Sequence, residues 1–243
     1  FSTYTSGQVY FLFDQETAFP IDRIRTTAFQ QTSLPKFGQR YGYTDINDYD
    51  VLILPGGRRL DQLFWQEQRR EILAWLERGG TIIALESAAE FFTKSGKFGN
   101  LNLVKSPQDT SDTAKYLQYG DRETYRGLRR IPGSALRGEV DVTHPLAFGV
   151  KPEVYPLKLT TAALEPSTRL ESVGTYHRQG TELLTAGYAS TENLNRLAGK
   201  TFAGVQRFGD GAVVYLVDNP HYRMFWRSTS RMVQNAAFIV PNF

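Results

Sequence analysis

The chain contains no cysteine, only three histidines and only two methionines. The first absence removes disulfides, thiolate metal ligands and cysteine nucleophiles together. It leaves the redox compartment open, because a cysteine-free chain is indifferent to it. His144, His177 and His221 stand far apart and form neither H-x-x-E nor H-E-x-x-H. With no thiols beside them, no metal or other cofactor is expected in this chain. No stretch approaches the run of about 20 apolar residues that a membrane helix needs. Basic charge is thin as well. The net charge is +3, and the basic pairs Arg58-Arg59, Arg69-Arg70 and Arg129-Arg130 lie among acidic residues. A nucleic-acid surface needs a denser stripe, so neither nucleic acid nor membrane is expected as a partner.

What is present is apolar mass: 41% of the 243 residues are hydrophobic and 13% aromatic, enough for a sizeable core. The chain begins at Phe1, and residues 1–7 are polar. That stretch reads as a linker or tag remnant, so a piece of a longer protein is expected. Gln8 to Phe13 (QVYFLF) reads as a first buried strand. Pro20 then suits a helix start, with Ile21, Ile24 and Ala28 at helical spacing. Val51 to Leu54 (VLIL) is a continuous aliphatic run of the kind buried on both faces of a parallel sheet, and Pro55-Gly56-Gly57 ends it. Gln62 to Arg78 reads as an amphipathic helix with Phe64, Ile72, Trp75 and Leu76 inward, closed by Gly79-Gly80. Thr81 to Leu85 is a second aliphatic strand, and Glu86 to Phe92 turns at once into a helix.

This alternation predicts a doubly wound, flavodoxin-like α/β sheet in one domain spanning 1–243. Residues 93–138 read as a long insertion with little regular structure. Beyond it the chain turns β-rich, with strands expected at 171–176, 183–188, 201–208 and 212–217. Gly209-Asp210-Gly211 marks a hairpin between the last two. Met224 to Ile239 is expected as a terminal helix with Phe225, Val233, Ala236 and Ala237 in the core.

In doubly wound sheets, sites lie at the carboxyl ends of the strands. The sharpest feature there is Gly79 to Ala88 (GGTIIALESA), a strand that ends in small-x-Glu-x-small and continues into a helix. Small residues two before and two after the central one permit the tight turn of a nucleophile elbow. Such a turn lifts Glu86 above the sheet, at a helix N-terminus where negative charge is favoured and a carboxyl pKa is expected to fall.

The strand-PGG at 51–57, the helix, and the GG-strand-elbow at 79–88 resemble the class I glutamine amidotransferase-like fold. Val140 to Gly149 (VDVTHPLAFG), Leu197 to Lys200 (LAGK), Gly209 to Leu216 (GDGAVVYL) and Pro220 to Arg223 (PHYR) extend the resemblance. They are similar to the branch in which this domain stands at the C-terminus of zinc carboxypeptidase-family proteins. Working members of the superfamily carry cysteine at the elbow, where this chain has Glu86 followed by Ser87. A carboxylate cannot replace a thiolate in forming the glutamyl intermediate, so no glutaminase activity is expected. The resemblance implies a non-catalytic accessory domain whose partner is an N-terminal peptidase domain of the same polypeptide. Any zinc would be held by that domain, and an extracytoplasmic, bacterial setting is implied.

Two other readings stay open at this stage. One is an independent hydrolase in which Ser87 or Glu86 works with His221, the histidine expected at a strand end. The other is a small-molecule or carbohydrate-binding module using the cleft over the strand ends. The residues expected to line that cleft are Gly56, Gly57, Arg58, Glu86, Ser87, Asn219, His221 and Arg223. His144 reads as a turn residue and His177 as a surface residue.

Overall fold

The computed structural model describes residues 3–24, 45–57, 60, 66–93, 98–105 and 116–243. Arg58, Ala28 and Phe64 lie outside the described residues. The chain enters as a helix, α1 (Thr3–Phe11), that runs into a π-helix at Leu12–Glu16. β1 (Val51–Leu54), α2 (Gln66–Glu77), β2 (Thr81–Leu85) and α3 (Ser87–Thr93) follow. Next come α4 (Arg122–Leu128), β3 (Ser134–Leu136), β4 (Gly138–Val140), β5 (Glu153–Val154), β6 (Leu157–Lys158), β7 (Glu171–Tyr176) and β8 (Leu184–Gly187). The last elements are α5 (Thr191–Leu197), β9 (Thr201–Phe208), β10 (Gly211–Leu216) and α6 (Ser230–Phe238).

Seven strands form the main sheet in the order β1-β2-β10-β9-β7-β4-β5, and β6-β3-β8 form a smaller one. β1, β2 and β10 run parallel, with Leu52 opposite Ile82 and Val213 opposite Ile82 on the other side. From β10 outward the sheet is antiparallel. β2 shows why its aliphatic run is continuous. Ile82 and Ala84 pack with Ile72, Trp75 and Leu76 of α2 and with Ala88 and Phe92 of α3. Ile83 and Leu85 pack on the opposite face with Met232, Val233 and Ala236 of α6. Both faces are covered by helices, as a doubly wound sheet requires.

β1, β2, β7, β9 and β10 lie within a residue or two of their expected positions, and β8 takes up the expected 183–188 strand. The hairpin is present too, with Gly209 at φ +60° and Gly211 opposite Phe208. Five expectations are corrected. Residues 8–13 are helical rather than a first strand, although Leu12 and Phe13 are buried as that reading required. A short apolar run has no period by which strand and buried helix can be told apart. Residues 3–7, read as linker, are the first turns of α1, and Ile21 and Ile24 lie in irregular chain. The insertion carries α4 and β3 and sends Leu101 and Val104 into the core. The terminal helix begins at Ser230, because Arg223 and Met224 adopt left-handed φ of 49° and 64° that a continuous α-helix does not accommodate, and only a short 3-10 turn forms at Tyr222–Met224. Phe225 consequently points outward, 65% exposed, against the edge of Tyr222.

Candidate functional site

β2 ends at Leu85, and the next residue turns left-handed: Glu86 has φ 52°. A non-glycine residue there is uncommon and costs on the order of 1–3 kcal/mol, held only by its surroundings. Two of those surroundings are visible in the sequence. Ala84 and Ala88 are fully buried and small enough for the turn. The Glu86 N–H donates to Leu216 O of β10 at 2.8 Å, and Glu86 O accepts from Glu90 N inside α3. The elbow geometry is thus present with a carboxylate at its apex.

That carboxylate does not project into open space. Oε2 accepts from Thr5 Oγ1 of α1 at 2.9 Å, and Oε1 accepts from Asn219 Nδ2 at 2.6 Å, just beyond β10. Asn219 Nδ2 also donates to Gln8 Oε1 of α1 at 2.8 Å, and its Oδ1 accepts from His221 N at 3.1 Å. Gly56 faces Oε2 so closely that a Cβ added there would sit 2.5 Å from it. Glycine at 56 is therefore what makes room for the Glu86 side chain. Ser87 turns the other way. Its hydroxyl accepts from Gly57 N at 2.8 Å and donates to Gly57 O at 3.0 Å, pinning the loop after β1 to the start of α3.

Burial pushes the Glu86 carboxyl up from the usual carboxylate range. The bonds from Thr5 and Asn219 oppose this, and the nearby Asp218 carboxylate adds to it. The depression expected from the helix N-terminus is thereby corrected: the loss of water beneath α1 wins. Asp218 has its own partners. Lys158 Nζ, fully buried, donates to Asp218 Oδ1 at 2.8 Å and also bonds Ala162 O, while Tyr176 OH bonds Asp218 Oδ2. Burial drives the Lys158 pKa down, and Asp218 pulls it back.

His221 is 3% exposed, yet neither ring nitrogen has a hydrogen-bond partner among the described residues. Nε2 lies 3.9 Å from Glu16 Oε1, and Glu16 in turn pairs with Arg227 at 2.6 Å. Burial lowers the His221 pKa, offset in part by Glu16. The structure thus brings together Gly56, Glu86 and Asn219, and Gly57 with Ser87. It ties His221 to Asn219 through the backbone, without a bond from its ring to Glu86 or Ser87. Arg223 is exposed and lies over the Tyr222 ring, 5.2 Å from its centroid. His144 caps a short turn by accepting from Leu146 N and bridges to Glu171, and the partly exposed His177 pairs with Glu139. Among the described residues no group of three or more His, Asp or Glu side chains converges as a metal site would, and no helix is long and apolar enough to cross a membrane.

Thr5, Gln8, Glu16, Lys158, Tyr176 and Asp218 were missed by sequence reasoning. Asp218 had a signal, since it immediately precedes Asn219 at a strand's carboxyl end. Thr5 and Gln8 had none while their segment read as linker and strand.

No protein-family model and no curated protein sequence matches the chain. Solved structures do. A protein described as ThuA-like from Parabacteroides merdae ATCC 43184 superposes with a TM-score of 0.56 at 12% identity, covering 98% of this chain and 84% of the other. Another so described, from Bacteroides uniformis ATCC 8492, gives 0.51 at 13% identity, covering 97% and 82%. At that identity the likeness shows the fold: a mixed α/β, glutamine amidotransferase-like domain.

Proposed function

We propose that this chain is a non-catalytic amidotransferase-like domain, accessory to a zinc carboxypeptidase domain in the same polypeptide and working outside the cytoplasm. One observation carries the first half. At the elbow, where working relatives hold a thiol, a buried Glu86 is tied to Thr5 and Asn219. Ser87, the next residue on the elbow, is not placed to act as the nucleophile instead. The Ser87 hydroxyl is spent on both polar groups of Gly57, and a serine needs an adjacent base to attack. The second half rests on the order of sequence motifs at 140–149, 197–200, 209–216 and 220–223.

Two measurements test this. The purified chain, incubated with glutamine, should release no ammonia above the uncatalysed rate; turnover abolished by Glu86→Ala or Ser87→Ala would overturn the non-catalytic reading. The gene should encode, upstream of Phe1, an H-x-x-E motif followed by a later histidine. A reading frame without them would remove the peptidase partner.

A second reading, ligand binding in the inherited cleft, is favoured by a specific observation. Gln8 Nε2 and both ring nitrogens of His221 are buried near Asn219 without a hydrogen-bond partner among the described residues. Buried polar groups left unpaired cost about 1–3 kcal/mol each, and a bound molecule with acceptors would recover that. A screen of sugars and small polar metabolites for thermal stabilisation of the chain tests it. Stabilisation that Asn219→Ala abolishes is the expected result, and no stabilisation by any class counts against it.

A further inference from the structure

Among the described residues, Asn102, Lys105, Glu165, Asn195, Arg196 and Lys200 border a cavity of about 640 Å³, and no elbow residue lines it. That size falls within the range of about 300–1,000 Å³ usual for small-molecule sites. The backbone around it is tied down. Leu103 and Thr201 bridge Leu164 from either side. Glu165 N donates to Asn102 O at 2.9 Å, and Val104 N donates to Ala163 O at 2.8 Å. Val104 and Leu164 are buried in the core. Asn102, Lys105, Glu165 and Lys200 thus stand on or beside hydrogen-bonded chain, and Asn195 and Arg196 stand on α5. Groups held on fixed elements bind a ligand with little ordering cost.

The charge around this cavity is unbalanced. Lys200 Nζ pairs with Glu165 Oε2 at 2.6 Å, so those two cancel. Arg196 has no such partner. Its Nη1 donates to Lys105 O at 3.0 Å, and its Nη2 donates to Thr161 O at 2.8 Å and Asn193 Oδ1 at 3.2 Å. All three are neutral oxygens. Glu192 and Glu165 are near enough to favour its charge, but neither is within ion-pair distance. A guanidinium carries five N–H donors. Nη1 keeps a second one beyond its single bond, and Nε is buried without a partner among the described residues. No hydrogen bond or ion pair joins the Lys105 ammonium, the Asn102 amide or the Asn195 amide to another described residue. Two cations and two amides thus border one cavity with donors unused.

We propose that this cavity binds a small molecule through an oxyanion group, a phosphate or a carboxylate. Lys105 and Arg196 supply the charge, and Asn102 and Asn195 supply neutral donors. Charge-assisted hydrogen bonds from guanidinium and ammonium groups are the strong ones for such anions. Glu165 does not repel the anion while Lys200 neutralises it. The site is separate from the elbow and does not depend on how the elbow is read.

Calorimetric titration of the whole chain with inorganic phosphate and, separately, with citrate tests the proposal, with ionic strength matched by sodium chloride. Expected is saturable binding of at least one probe; the probe that binds shows which oxyanion the site takes. Lys105→Ala should weaken it about ten-fold, as loss of one charge-assisted hydrogen bond predicts. Glu165→Gln should strengthen it, because Lys200 is then released to the anion. The Lys105 side chain makes no bond that folding needs, so ligand-free Lys105→Ala should melt with the wild type. That separates binding from folding. No saturable binding of either probe would overturn the proposal. So would binding that Lys105→Ala and Glu165→Gln both leave unchanged, which would place the anion elsewhere on the chain.

Discussion

Gly56→Ala tests whether the elbow carboxylate is held as described. The added Cβ would stand 2.5 Å from Glu86 Oε2 and 3.0 Å from Glu86 Cβ. The Oε2 contact is the severe one, and it is relieved only if the carboxyl swings away from Thr5, whose hydroxyl now donates at 2.9 Å. A hydrogen bond to an ionisable group contributes about 1.5–3 kcal/mol. Against this, replacing glycine stiffens the unfolded chain and returns about 0.4–1 kcal/mol. The net expected loss is about 0.5–2.6 kcal/mol, read as a lowered urea midpoint at unchanged slope. The cause is isolated by repeating the substitution on Glu86→Ala, where Oε2 no longer exists and only the milder Cβ contact remains. There the alanine at 56 should cost less by about 1.5–3 kcal/mol. Additivity within about 0.5 kcal/mol would refute the argument, because groups that do not touch add in this way.

Two further outcomes follow from the same site. Burial raises the Glu86 pKa on folding, so the folded chain binds that proton more tightly. The stability this confers is complete below the unfolded carboxyl range and is lost as pH rises through the raised value. Wild-type stability relative to Glu86→Gln, from urea melts between pH 4 and pH 8, should therefore fall with rising pH; a flat or rising difference would refute the burial argument. Lys158→Met leaves Asp218 buried with Tyr176 alone. It should cost about 3–5 kcal/mol, most of it regained when Asp218→Leu is added, as calorimetry of the single and double variants would show.

The legible parts of the fold are those whose signal is local. Val51–Leu54 and Thr81–Leu85 are aliphatic runs closed by Pro55-Gly56-Gly57 and preceded by Gly79-Gly80, and the hairpin announces itself in Gly209-Asp210-Gly211. Gln8–Phe13 has no such frame. Its apolar character fits either a buried helix or a strand, and long-range packing decides between them. The elbow was legible because Ala84, Glu86 and Ala88 are near neighbours in sequence. What holds Glu86 was not, since Thr5 is 81 residues away and Asn219 is 133. The proton affinity of Glu86 was misjudged for the same reason. The helix N-terminus is a local feature and burial is not.

Glu86 and Asp218 are neighbouring buried acids with different surroundings. Glu86 and Asp218 are close enough for one to disfavour ionisation of the other. Among the described residues the buried ammonium of Lys158 is placed on Asp218. Glu86 is left with the neutral donors Thr5 and Asn219. Those donors favour the ionised form, but they offset only part of the cost of a lone buried charge. The balance of burial and hydrogen bonding therefore raises the proton affinity of Glu86. The left-handed apex thus presents a carboxyl whose proton affinity depends on burial and on the Thr5 hydroxyl that α1 supplies.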